Sequence, residues 1–153
     1  MANFAATVSQ WCANTELALD AIFRESVQRV FHEMTRSRAA GGSHPFDTGF
    51  AIASWRASTS QMPEIIRGSV GEKGRSYAPS GQVELTIATA KLGDTIYIGG
   101  TASYLPRLNY GFSGTDSAGR HFNQSGYLFV EKAAQKWPSI VKQVEAELSA
   151  KVR

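Results

Sequence analysis

The residues of this chain best suited to chemistry lie in 45-PFDTGFAIASW-55. An Asp between a bulky apolar side chain and Thr-Gly can serve as half of a carboxylate dyad. Two such groups sharing one proton activate water for peptide hydrolysis, and a chain with one copy obtains the second by pairing with itself. The same tripeptide also has an architectural use. The Asp47 carboxylate is expected to cap the backbone N–H groups of the next turn, with a further hydrogen bond from the Thr48 hydroxyl. Gly49 is expected to take a conformation disfavoured for residues with a Cβ and to swing the chain toward Ser54-Trp55.

The hydrolytic alternative is a homodimeric aspartic protease using residues 47–49. A Gly-rich segment that would act as a flap and the apolar 96-IYIGG-100 favour it. Against it, 41-GGSHP-45 precedes Asp47 where a catalytic loop would follow an apolar strand, and long terminal helices have no place in an all-β protease. The architectural reading is preferred, with no catalytic residue assigned.

Other chemistries find less support. His32, His44 and His121 lack metal-ligand spacing, so no metal and no cofactor are expected. Gly68, Gly71 and Gly74 are not followed by Lys-Ser/Thr, and Ser113 lacks the spacing of a nucleophile elbow. Arg107 reads as a surface or interface charge. Cys12, the single cysteine, excludes an intrachain disulfide, implies a reducing compartment and reads as a small buried side chain beside Trp11.

Composition sets the frame. A chain of 153 residues with 42% apolar content suits one globular domain. Sixteen basic and thirteen acidic residues are interspersed, so the net +3 is too thin for a dedicated DNA reader. Neither a signal peptide nor an apolar run of the ~20 residues needed to cross a membrane is seen, so a soluble protein without membrane partners is expected.

The elements that must position the Asp-Thr-Gly follow from periodicity. Val8, Trp11, Leu19, Ile22, Val27, Val30 and Met34 fall at helical steps, widened by Phe23 and Phe31. They predict a long N-terminal helix over about 11–39, stopped by Gly41-Gly42. Alternation in 83-VELTIATA-90 predicts a strand, joined through Lys91–Asp94 in a hairpin to a second strand at 95–100. Phe50–Ser58 reads as a third strand. Long loops are expected at about 61–82 and 112–126. A closing helix from about Leu128 to Ala150, with Val130, Ala134, Trp137, Val141, Val144 and Leu148 on one face, should kink or restart at Pro138. The fold class is α+β: an antiparallel β-sheet packed with a long N-terminal helix and a C-terminal helix.

Three blocks in this order resemble a known family. The first is Pro45-Phe46-Asp47-Thr48-Gly49-Phe50 followed by Ala53-Ser54-Trp55. The second is Tyr104-Leu105-Pro106-Arg107-Leu108-Asn109-Tyr110-Gly111. The third is Gln124-Ser125-Gly126-Tyr127-Leu128-Phe129-Val130. Together they are similar to the minor tail, neck or tail-completion proteins near the head–tail junction of tailed bacteriophages. Leu105 stands where the family usually has a small residue, Phe46 where a β-branched one is common, and Ser113–His121 is longer than usual. The resemblance implies a structural virion protein made in the host cytoplasm and not an enzyme. Its expected partners are copies of itself in a ring, typically six-fold, and adjoining tail-tube and connector proteins, with DNA passing nearby in the lumen. Tyr104, Leu108, Asn109, Tyr110 and Gly111 would form an interface or turn motif. Loops 61–82 and 112–126 would order on assembly.

Overall fold

A computed structural model describes residues 4–151. It is an α+β fold in which a long N-terminal helix and a C-terminal helix accompany two small antiparallel sheets. The order is α1 (Phe4–Thr35), a short 3-10 turn (Arg38–Ala40), α2 (Phe50–Ala53), β1 (Trp55–Ser58), α3 (Gln82–Thr89), β2 (Tyr97–Gly100), α4 (Leu105–Tyr110), β3 (Gly111–Thr115), β4 (His121–Ser125), α5 (Phe129–Gln135) and α6 (Trp137–Lys151).

Only the second half of α1 is packed. Ser26, Phe31 and Met34 are buried and Val27 and Val30 half-buried, whereas Val8, Trp11 and Leu19 of the predicted stripe are exposed. Cys12 is likewise exposed and not the buried side chain expected. The helix ends at Thr35, before the two glycines, whose work lies in the following turn. There the chain doubles back: His44 N–H donates to the Arg36 carbonyl and Gly42 N–H to that of Ser37, at 3.1 and 2.8 Å. A Cβ on Gly42 would collide with the Arg36 backbone.

The predicted 83–90 strand and its hairpin to 95–100 are not formed; residues 82–89 are α3. Val83 and Ile87, four apart, are buried together while Leu85 points outward, so the alternating pattern also satisfies one helical face. Gln82 makes the helical outcome compatible with β1. Its side-chain amide accepts from Ala57 N–H at 2.9 Å and donates to the Ala57 carbonyl at 2.8 Å, filling the edge positions that another strand would take. The partner of β2 is instead β1, in register Trp55↔Gly100 to Ser58↔Tyr97. The predicted Phe50–Ser58 strand splits into the single turn α2 and β1, because Gly49 starts a helical bond from Ala53 N–H to its own carbonyl at 2.9 Å.

The predicted loop 112–126 is mostly a hairpin, β3 against β4, closed by a turn in which the Asp116 carboxylate accepts from Ala118 and Arg120 N–H. Phe112 and Phe122 stack across it, with Arg107 and Arg120 over their faces. The closing helix breaks between α5 and α6 at Lys136, just ahead of Pro138, which lacks the N–H to continue it. Of its predicted face Val144 is fully buried, while Phe129 and Ala133 in α5 take the places in the core expected of Ala134 and Trp137. Arg29 with Glu147, and Glu33 between Arg36 and Lys136, tie α1 to the C-terminal helices.

The core gathers Phe31, Met34, Trp55, Val83, Ile87, Leu105 and Phe129. Fully buried among them is His44, whose ring lies 4.4 Å from that of Phe129 and 6.5 Å from that of Trp55. Its Nδ1 donates to the Pro45 carbonyl at 2.8 Å. Burial holds the imidazole below its ordinary value, and that hydrogen bond offsets this only in part. The fold therefore disfavours the charged ring: its contribution is complete above the unfolded value of about 6.5 and is lost as pH falls toward the lower folded value. Urea titrations are expected to show stability falling as pH drops from 7 toward 5, and His44→Gln should flatten that slope. The depressed carboxyls of Glu33 and Glu131 act at lower pH and should leave it unchanged.

Candidate functional site

Asp47, Thr48 and Gly49 form the turn that delivers α2. The expected Asp47 cap is not made. Phe50 N–H instead takes the Thr48 hydroxyl at 3.4 Å, and Gly49 occupies the N-cap position. Gly49 is the predicted pivot, with φ +85. The 61–82 segment clamps it: Tyr77 N–H donates to the Thr48 carbonyl at 2.9 Å, and a Cβ on Gly49 would lie 2.5 Å from the Tyr77 carbonyl oxygen. That segment is stitched down at two further points, Ile66 N–H to Thr101 and Ser103 N–H to Ser69.

The Asp47 carboxylate is freed from capping and exposed. It lines a hollow of about 280 Å³ with Phe46, Phe50, Tyr104 and Leu108, and an adjoining one of about 510 Å³ that also holds Glu72 and Lys73. The rings of Phe50 and Tyr77 meet edge-on at 4.9 Å, and Tyr104 lies 6.4 Å from Phe50. Burial, helped by the Asp47 charge, raises the Tyr104 phenol above its ordinary value. Such a pairing of carboxylate, phenol and aromatic wall can accept a hydrogen bond or seat a cationic side chain.

Ser54 and Trp55 lie beneath, at the junction of α2 and β1. Ser54 is buried, its hydroxyl donates to the Ala51 carbonyl at 2.7 Å, and its own carbonyl accepts from both the N–H and the hydroxyl of Thr101. Trp55 is a core side chain against Phe129.

The second predicted motif divides its residues between faces. Tyr104 and Leu108 look onto the Asp47 hollow, whereas Asn109 is buried on the far side of α4. There it holds the third block of the sequence. Its Oδ1 accepts from Val130 N–H at 3.1 Å, supplying an N-terminal cap to α5 from a distant element. Its Nδ2 donates to both oxygens of Glu131, and its carbonyl accepts from Leu128 N–H. Burial works to raise the Glu131 carboxyl, but the Asn109 amide and the Glu131 N–H hold it below its usual range. Gly111 and Gly126 allow the hairpin base to cross here, since a Cβ on either would meet backbone atoms of the other strand or of Asn109. Tyr110 points to solvent, 68% exposed.

Sequence reasoning missed Tyr77, Gln82 and Glu131, whose roles depend on partners 22 to 29 residues away in the chain. Among the described residues no group of three or more His, Cys, Asp or Glu is placed to hold a metal ion. No protein-family model, curated protein or solved structure matches the chain.

Gly49→Val should lower stability by about 1–3 kcal/mol in urea unfolding, because it forces both a left-handed backbone and a clash on the Tyr77 carbonyl. Asn109→Leu should cost about 1–3 kcal/mol by stranding Val130 N–H and Glu131. Asp47→Asn, which removes no hydrogen bond seen in the fold, should leave the unfolding midpoint unchanged.

Proposed function

We propose that the chain is a structural subunit of a tailed-phage virion, assembling with copies of itself into a ring at the head–tail junction or tail end. The observation that carries this reading is surface. The chain exposes 10341 Å², where a compact monomer of its mass would expose roughly 7,600 Å². The excess is more than the ~800 Å² per partner of one standard interface, and a subunit within a ring has two neighbours to meet. It comes from two projecting parts, the first half of α1 and the β3–β4 hairpin with most residues of both strands exposed, and from the mostly exposed segment at 61–82 that is bonded along the surface. A two-stranded hairpin is marginal alone in water and gains most from packing on something else.

The family-like blocks form the scaffold behind these projections. Block 104–111 faces block 45–55 across the Asp47 hollow and bonds to block 124–130 through Asn109. In this reading α4 is the joint that sets the hairpin's angle. Arg and Lys are interspersed with acids, as suits a lumen that passes DNA without gripping it. Adjoining tail-tube and connector proteins would cover the remaining ring faces. The role is architectural, and Asp47 serves as a polar contact at the rim of its hollow.

Light scattering and negative-stain imaging of the purified protein, alone and with tails lacking it, are expected to show rings of about six subunits, with no peptidase activity. Pepstatin-sensitive cleavage abolished in Asp47→Asn would replace this reading with the homodimeric protease. Failure to form rings in either setting would remove it.

A further inference from the structure

The first half of α1 lies outside the hydrophobic core. From Phe4 to Leu19 every residue but Thr15 is exposed. Phe4, Val8 and Trp11, at 82%, 41% and 67% exposure, stand at i, i+4 and i+7. That is the anchor spacing of an amphipathic helix seated in an apolar groove. The arm's chemistry narrows its partner. No Lys or Arg occurs between Phe4 and Phe23, so it lacks the basic face of a membrane-surface or nucleic-acid-binding helix. Its flank is neutral and polar, with Gln10 and Asn14 bonded to each other at 2.9 Å. This is a surface for a protein.

The same chain carries a matching groove. Met62 and Ile65 of the 61–82 segment form one wall, Pro106, Tyr110 and Val130 the other, and Phe129 part of the floor, around about 270 Å³. Met62, Ile65 and Tyr110 are each at least half exposed. A subunit cannot fill its own groove with its own arm. Phe31 of α1 packs in the core cluster with Phe129, and Trp11 lies twenty residues earlier on the same unbroken helix. At ~1.5 Å per residue that is roughly 30 Å away.

We propose that the Phe4–Val8–Trp11 edge of α1 docks into the Met62–Tyr110 groove of a second copy, head to tail. Phe4 and Trp11, 82% and 67% exposed with areas of about 150–250 Å² each, together offer roughly 220–370 Å², between a quarter and a half of the ~800 Å² per partner that a stable interface buries. Donor and acceptor lie far apart on each chain, so every copy gives one arm and receives another. The contact therefore propagates, into a ring if the rotation closes and a filament if it does not. It deepens the ring assembly proposed above by naming the surfaces that meet.

Sedimentation velocity on the full-length protein tests this with Trp11→Glu and Ile65→Glu, both at exposed positions, each checked for an unchanged unfolding midpoint. The wild type is expected to self-associate with rising concentration and each variant to sediment as a monomer at concentrations at least tenfold higher. An equimolar mixture of the two should give a dimer and nothing larger, because one supplies only an arm and the other only a groove. A wild type monomeric throughout would overturn the docking and assign the arm to a different protein. Assembly of Trp11→Glu like the wild type would also overturn it, while leaving the ring reading intact. Loss in Trp11→Glu with normal assembly of Ile65→Glu would mean that arms pair with arms, which equally sinks it. Filaments in place of rings would uphold the docking and count against the ring.

Discussion

Most of this structure hangs on the ring of Phe129, 1% exposed, which packs in a triangle with His44 and Trp55. Three remote parts of the chain meet at that ring: the loop after α1, the start of β1 and the start of α5. Among the described residues the strands are only four or five residues long and no helix except α1 and α6 exceeds eight, so few elements bring a core of their own. Removing a buried Phe of this kind costs about 3–5 kcal/mol, a large part of the stability of a small domain. The neutrality of His44 belongs to the same constraint. A charged imidazole between two aromatic side chains would lose its hydration with only the Pro45 carbonyl in return.

Asn109 extends that core into the peripheral parts. Phe129 enters the core as the first residue of α5, and the N-terminus of α5 is capped from α4 by the Asn109 amide. The preceding residue, Leu128, has φ +52, unusual for a side chain of its size. The bond from its N–H to the Asn109 carbonyl helps to hold it there. On its opposite face α4 presents Leu108, with Tyr104 just ahead of the helix, to the Asp-Thr-Gly turn. One short helix thus couples the turn, the base of the hairpin and the orientation of α5, although its own six residues bury only Leu105 and Asn109.

What was legible in the sequence were the features that local physics decides. The long N-terminal helix, the break near Pro138, the strand at 97–100 and the pivot at Gly49 follow from periodicity, a missing N–H and a left-handed backbone. The errors arose where a distant partner chose between local options. Val83, Leu85 and Ile87 fit a strand as well as a helix until the Gln82 amide closes the free edge of β1. The run 112–126 hides its hairpin because polar residues alternate with a few aromatics and neither face is buried. Asp47 reads as a cap, yet the Thr48 hydroxyl reaches Phe50 N–H and leaves the carboxylate over its hollow. The converging blocks could be found in sequence, but the bonding between them could not.

The projecting half of α1 raises a physical question, since a helix of about sixteen residues is marginal alone in water. Here it is not alone. Helix formation is limited by its nucleus, and the packed stretch around Ser26, Phe31 and Met34 supplies one, so the arm extends a helix already begun. Ala5, Ala6, Ala13, Ala18 and Ala21 add propensity where tertiary contacts are few. An arm that is helical before it meets its partner loses little backbone entropy on docking, and its apolar edge is presented in register from the start. Under the docking proposed above, the exposure that looks wasteful in a monomer prepares the helix for association, and the same preformed apolar edge, left uncovered, is open to indiscriminate contacts.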